Sequence, residues 1–286
     1  MATLVFVGMI GAGGWFAYAN QGFISQIIND LTKEPGKQAP AVVAAPASPS
    51  RSAAKVNTAS APTALQASQP ANQKLGLLKT KFWQVLKQQD SDWVRRQEDA
   101  ITKLRKQGKT VDERLAFAVS AIVDWRRSNA DKVLTASPDH LRSLARTFVA
   151  NLKYLVSKDV QACYGFISKG ELSPAVLPLY KDARQAGILG TQTEAIVAAA
   201  KNTGGKSTQY LQPAPPDFNK LAQLLIKRGW SEGDLKMFSD PTALSSAPAA
   251  KVCKLVTEWF DTQLQMPPSD LQMRLLATSL QPVVRG

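Results

Sequence analysis

From Leu75 onward, apolar residues return every three or four positions. Leu75, Leu78, Phe82 and Leu86 form one stripe. After the polar break "QQDSD", Trp93, Ala100, Ile101 and Leu104 form a second, which stops at Gly108. Thr110, three residues ahead of Glu113, is a capping box and opens "VDERLAFAVSAIVDWRRS" as a helix. Ser137 as cap with Pro138 in the first turn opens another. The same spacing predicts helices over about 158–168, 173–186, 191–202, 217–228, 231–239, 247–265 and 269–279, with Gly187, Gly229, Pro241 and the pair Pro267–Pro268 between them. In "KVCKLVTEWFDTQL", Val252, Leu255, Val256, Trp259 and Phe260 share one face, so that helix should be buried on this side. No run alternates as a half-buried strand does, and no repeat of fixed period stands out. The expectation for residues 74–286 is an irregular multi-helix, all-α domain.

Upstream the pattern changes twice. Residues 33–73 are dominated by Ala, Pro and Ser, with almost no large apolar groups, so they cannot build a core and read as a disordered linker. Such a tether has a coil dimension of roughly 35 Å and an extended reach of about 130 Å. Residues 1–32 carry no charged side chain before Asp30, and Ala2 to Ala19 is about the shortest apolar run that crosses a bilayer. Two readings fit this segment. In one it is an uncleaved anchor that continues as an amphipathic stalk through Phe23, Ile24, Ile27, Ile28 and Leu31. In the other it is a secretory signal cut near Ala19, although no Lys or Arg precedes the apolar run. The anchor is the preferred reading. Orientation is weakly signalled. Lys33, Lys37, Arg51 and Lys55, taken literally, would hold the domain in the cytoplasm. The layout of anchor, Ala/Pro tether and folded domain is instead familiar from bacterial envelope proteins, with the domain in the periplasm.

Charge narrows the class of partner. With 35 Lys and Arg against 22 Asp and Glu, the chain has a formal net charge of +13, which favours an anionic partner such as a membrane surface, an acidic envelope polymer or nucleic acid. The excess is uneven: residues 74–110 hold ten basic and four acidic side chains, whereas 191–286 hold ten and eight.

Several chemistries are poorly provided for. One histidine, His140, and two cysteines, Cys163 and Cys253, are too few and too scattered for a His/Cys zinc site, and a two-His metal face is impossible. Any Ser-His device would have to use His140, which reads as an exposed or capping residue. The stretch "AKNTGGKS" fits the spacing of a phosphate-binding loop if Ala200 stands for its first Gly. The segment before it, "TQTEAIVAAAKN", favours helix rather than strand through Thr191, Glu194 and the Ala run. The segment after it contains Pro213, Pro215 and Pro216, so no helix can leave promptly. Gly204 and Gly205 read as a helix stop, and no nucleotide or other cofactor is expected. Cys163 and Cys253 leave a disulfide, two buried thiols or a reactive thiol open, the disulfide being favoured in an exported chain.

The reading is a non-catalytic bacterial envelope protein, in which a membrane tether holds a basic helical domain near a protein partner or an anionic envelope surface. The candidate contact region is Phe82, Trp83, Trp93, Arg95, Arg96, Lys103, Arg105 and Lys106, chosen for clustered cations beside aromatic residues. The "DWRRS" run over 124–128 carries the same ambiguity between a contact and a solvated face. Two other readings are a glycan-cleaving hydrolase using Glu98, Glu171 or Glu258 as its acid, and a cytoplasm-facing nucleic-acid binder.

Overall fold

A computed structural model describes residues 75–201 and 208–285. The expected anchor, the linker and the Gly204–Gly205 stop lie outside the described residues. Among those described there are twelve α-helices and no strand, and no helix is long and apolar enough to cross a membrane. In chain order the helices are α1 (Lys81–Gln89), α2 (Ser91–Lys106), α3 (Val111–Ser128), α4 (Ala130–Leu134), α5 (Pro138–Lys158), α6 (Val160–Lys169), α7 (Ala183–Lys201), α8 (Pro215–Lys227), α9 (Glu232–Ser239), α10 (Pro241–Ser246), α11 (Ala249–Gln265) and α12 (Asp270–Arg285). Short 3₁₀ turns at Gly76–Lys79, Gly170–Leu172 and Leu177–Lys181 join some of them.

The longest helix, α5, is the hub. Its buried stripe of Leu141, Leu144, Ala145, Phe148, Val149, Leu152 and Leu155 faces α6, α7, α11 and α12. Phe148 meets Phe260 of α11 edge to face at 5.0 Å and Phe166 of α6 at 6.0 Å. One buried polar residue sits in this stripe: Asn151, whose side-chain amide donates to the Leu189 carbonyl of α7 at 3.0 Å. A disulfide between Cys163 and Cys253 joins α6 to α11 across a Cα separation of 6.2 Å.

Local chemistry sets several helix ends. Thr110 and Glu113 cap α3 reciprocally: the Thr110 hydroxyl accepts from the Glu113 amide, and the Glu113 carboxylate accepts from the Thr110 amide. Ser231 and Asp234 repeat the device at α9. At the far end of α11, the Gln272 side chain donates to the carbonyls of Gln263 and Met266, both at 2.9 Å, and the Gln263 carbonyl also accepts from the Met266 amide at 3.2 Å.

The region around Gly187 differs from its expectation. In place of two helices broken there, α7 runs unbroken through Gly187 and Gly190. Thr191 and Glu194 therefore cap nothing: the Thr191 hydroxyl donates to the Ile188 carbonyl, and Glu194 pairs with Lys81 of α1 at 2.6 Å. Gly190 has a packing reason. A Cβ placed on it would lie 2.6 Å from Cε1 of Phe82, so the missing side chain is what lets α1 press onto α7. Contact with Phe82 outweighs the helix-weakening tendency of glycine.

One ion pair is buried. Arg126 of α3 engages both carboxylate oxygens of Glu171, the Nη2–Oε2 contact being 3.1 Å, and the two side chains are only 5% and 7% exposed. Tyr180 packs into the same core, where burial, reinforced by the Glu171 charge, holds its hydroxyl well above the usual range.

Two stability experiments follow. Gly190→Ala should cost about 1–3 kcal/mol in urea unfolding through overpacking against Phe82. Wild-type stability of that variant would show that the two helices can separate freely. Glu171→Gln leaves the Arg126 charge buried and unanswered, and should cost about 3–5 kcal/mol, whereas Arg126→Met combined with Glu171→Leu should recover most of that loss. Equal stability of the single and double variants would contradict the pairing.

Candidate functional site: a cationic helix face

The candidate cations are carried by α2. Asp90 starts this helix by accepting from the Trp93 amide at 3.0 Å, and Val94 and Ile101 are its buried positions. Its main neighbours are α1 and α3, so one side of it stays in solvent. That side presents Asp92, Arg95, Arg96, Asp99, Thr102, Lys103 and Lys106, all exposed.

Ion pairing decides how much of this charge is available. Arg95 pairs with Asp92 at 3.1 Å, and Lys109, just past the helix, pairs with Glu113 at 2.7 Å. That contact, together with the Thr110 amide, lowers the Glu113 carboxyl to about 2. Among the described residues, Arg96, Lys103, Arg105 and Lys106 make no ion pair, and Arg105 is half-buried. Arg96 to Lys106 spans roughly 15 Å of helix.

The acidic side chains are largely committed elsewhere. Of 22 carboxylate residues, all but Asp30 and Glu34 fall in the described segments. Thirteen of these stand in ion pairs. Asp90, Asp159, Asp182 and Asp240 accept instead from N–H groups at helix starts. Only Asp99, Glu232 and Asp270 do neither. Fifteen Lys and Arg side chains remain outside any ion pair among the described residues, four of them on α2. The Arg126–Arg127 run of α3 does not add to them, because Arg126 is buried on Glu171 and Arg127 pairs with Asp124 at 3.7 Å.

The aromatic half of the expected contact region is not on the surface. Phe82 and Trp83 are 1% and 0% exposed, because they are the residues with which α1 packs onto α7 and α2. Trp93 is half-buried between Trp83 and Trp125, at centroid distances of 6.1 and 6.5 Å. The aromatic residues beside the cations in sequence thus lie in the core, Phe82 and Trp83 on α1 and Trp93 on the inner side of α2, and the expectation is corrected for Phe82 and Trp83.

A second feature was not legible in the sequence. An open cleft of about 420 Å³ lies along α11 beside the end of α5, with Val156, Val160, Ala250 and Cys253 among its lining residues. Its charges answer one another: Lys153 bonds Asp261 at 2.7 Å, and Lys254 lies 3.8 Å from Glu258. The cleft thus offers no unmatched charge to a ligand.

The three carboxylates considered for acid catalysis all accept hydrogen bonds. Glu98 accepts from the Trp83 indole at 3.0 Å, Glu258 from the Trp230 indole at 2.7 Å, and Glu171 from Arg126. His140 Nδ1 lies 2.7 Å from the Ser137 hydroxyl, a contact within the first turn of α5, while the adjacent Asp139 is held by Arg142 at 2.7 Å.

Among the described residues no group of three His, Cys, Asp or Glu could hold a metal ion. The phosphate-loop spacing lacks its setting. A helix, α7, leads to Lys201, and the next helix starts only at Pro215. No family model matches this chain, and no curated protein or solved structure is similar to it.

Proposed function

We propose that this chain is a non-catalytic bacterial envelope protein, in which a membrane tether carries a basic helical domain to an anionic envelope surface or an acidic protein partner. The observation that carries the reading is the outward face of α2, where Arg96, Lys103 and Lys106 stand exposed and make no ion pair among the described residues, while most of the described carboxylates, Asp99 on this face excepted, are engaged elsewhere. A row of unanswered cations attracts any extended anion by steering and local enrichment. The apolar segment over residues 2–19 and the Ala/Pro/Ser run over 33–73 support the tether, since together they place a domain within tens of ångströms of a bilayer. The Cys163–Cys253 disulfide supports an oxidising compartment such as the periplasm.

The test uses the full chain held in neutral-lipid nanodiscs and passed over an immobilised acidic polymer at physiological salt. Reversing Arg95, Arg96, Lys103 and Lys106 to Glu should lower retention about tenfold or more, whereas reversing Lys220, Lys227 and Lys236 should change it little. Equal loss in both variants would make binding a matter of net charge and remove the α2 assignment. Intact mass of the native protein checks the compartment: an oxidised pair makes it two hydrogens lighter than the reduced chain, and a fully reduced pair would contradict the periplasmic placement.

A further inference from the structure

The anion that α2 meets can be specified further. Resting on the tethered-domain reading, we infer that α2 lies against the anionic phospholipid headgroups of the bilayer that holds its own chain. Three observations carry this choice. The face is the solvent-exposed side of a peripheral helix, with exposed cations from Arg95 to Lys106 and no exposed large apolar side chain, so it suits a charged layer and not insertion among acyl chains. It offers no stacking platform for bases: Trp93 is held between Trp83 and Trp125, and no other aromatic residue belongs to α2. The third is distance along the chain. Only residues 74–90 separate the end of the tether (33–73) from α2, so a domain anchored through residues 2–19 meets lipid phosphates at high effective concentration, and contacts too weak to recruit a free protein suffice to orient a tethered one.

The role of Asp99 fits as well. It lies on the exposed side between Arg96 and Lys103, makes no ion pair among the described residues, and keeps the row from being uniformly positive. Headgroup contact then depends on the membrane's anionic fraction and gives way as salt rises.

The full chain is placed in nanodiscs of phosphatidylcholine alone, or with about 30 mol% phosphatidylglycerol, and its lysines are acylated and quantified by mass spectrometry. Lys103 and Lys106 should react about threefold or more slowly in the anionic discs, Lys220 and Lys236 equally in both, and about 0.5 M salt should abolish the difference. In Arg95→Glu combined with Arg96→Glu, both reporter lysines remain and their protection should disappear. Equal labelling of Lys103 and Lys106 in the two lipids overturns the proposal. Protection in neutral discs by an added acidic polymer, with none from phosphatidylglycerol, overturns the lipid assignment and leaves the binding reading standing. Failure of the chain to enter either disc overturns both.

Discussion

A carboxylate answers one cation well, and this chain has far fewer carboxylates than cations. Within the described residues their placement follows demand. Glu171 neutralises an arginine that cannot reach water, Asp217 locks α8 to Arg274 of α12, and four aspartates stop helix starts from leaving N–H groups bare. The exposed pairs add little to stability individually, but each cancels a charge that would otherwise shape the field around the domain. What survives is a surface whose positive sign is set by where the acids were needed. The prominence of α2 is therefore a result of its edge position, with only Asp99 left unengaged on that face.

Indole N–H groups act as a second organising constraint. A large ring can be buried only if its one donor finds an acceptor. Trp83 reaches Glu98 across the α1–α2 corner, Trp230 reaches Glu258, and Trp259 reaches the Ser279 hydroxyl of α12 at 3.0 Å. Each bond fixes the register of one helix on another as well as its distance. Glu98 and Glu258, two of the acids singled out in the sequence, serve here as acceptors for indole donors.

The helical class was legible because the apolar period persists over two hundred residues, and the α3 start was legible because Thr110 and Glu113 are neighbours in sequence as well as in space. Three other features were hidden for one shared reason: their partners are remote in sequence. The spacing predicts a helix break at Gly187, and nothing local in the sequence shows that Gly190 lies against Phe82, more than a hundred positions away. Arg126 reads as part of a surface cluster until Glu171, 45 residues on, closes over it. Phe82 and Trp83 read as surface aromatics beside basic residues, because a one-dimensional pattern shows which residues are near α2 and not which side of it they occupy. The short helices α4 and α10, of five and six residues, escaped because they complete too few turns to show a period.

The cross-link between α6 and α11 has a mechanical meaning for any pull applied at the amino end of the described residues. Any pull delivered through residue 75 travels along the chain until it meets Cys163, then jumps to Cys253, 90 positions on, without passing through residues 164–252. Roughly 300 Å of contour is thus withheld from extension. The second half of α6, all of α7, α8, α9 and α10, and the first turn of α11 hang off the line of force as a closed loop, shielded from that pull.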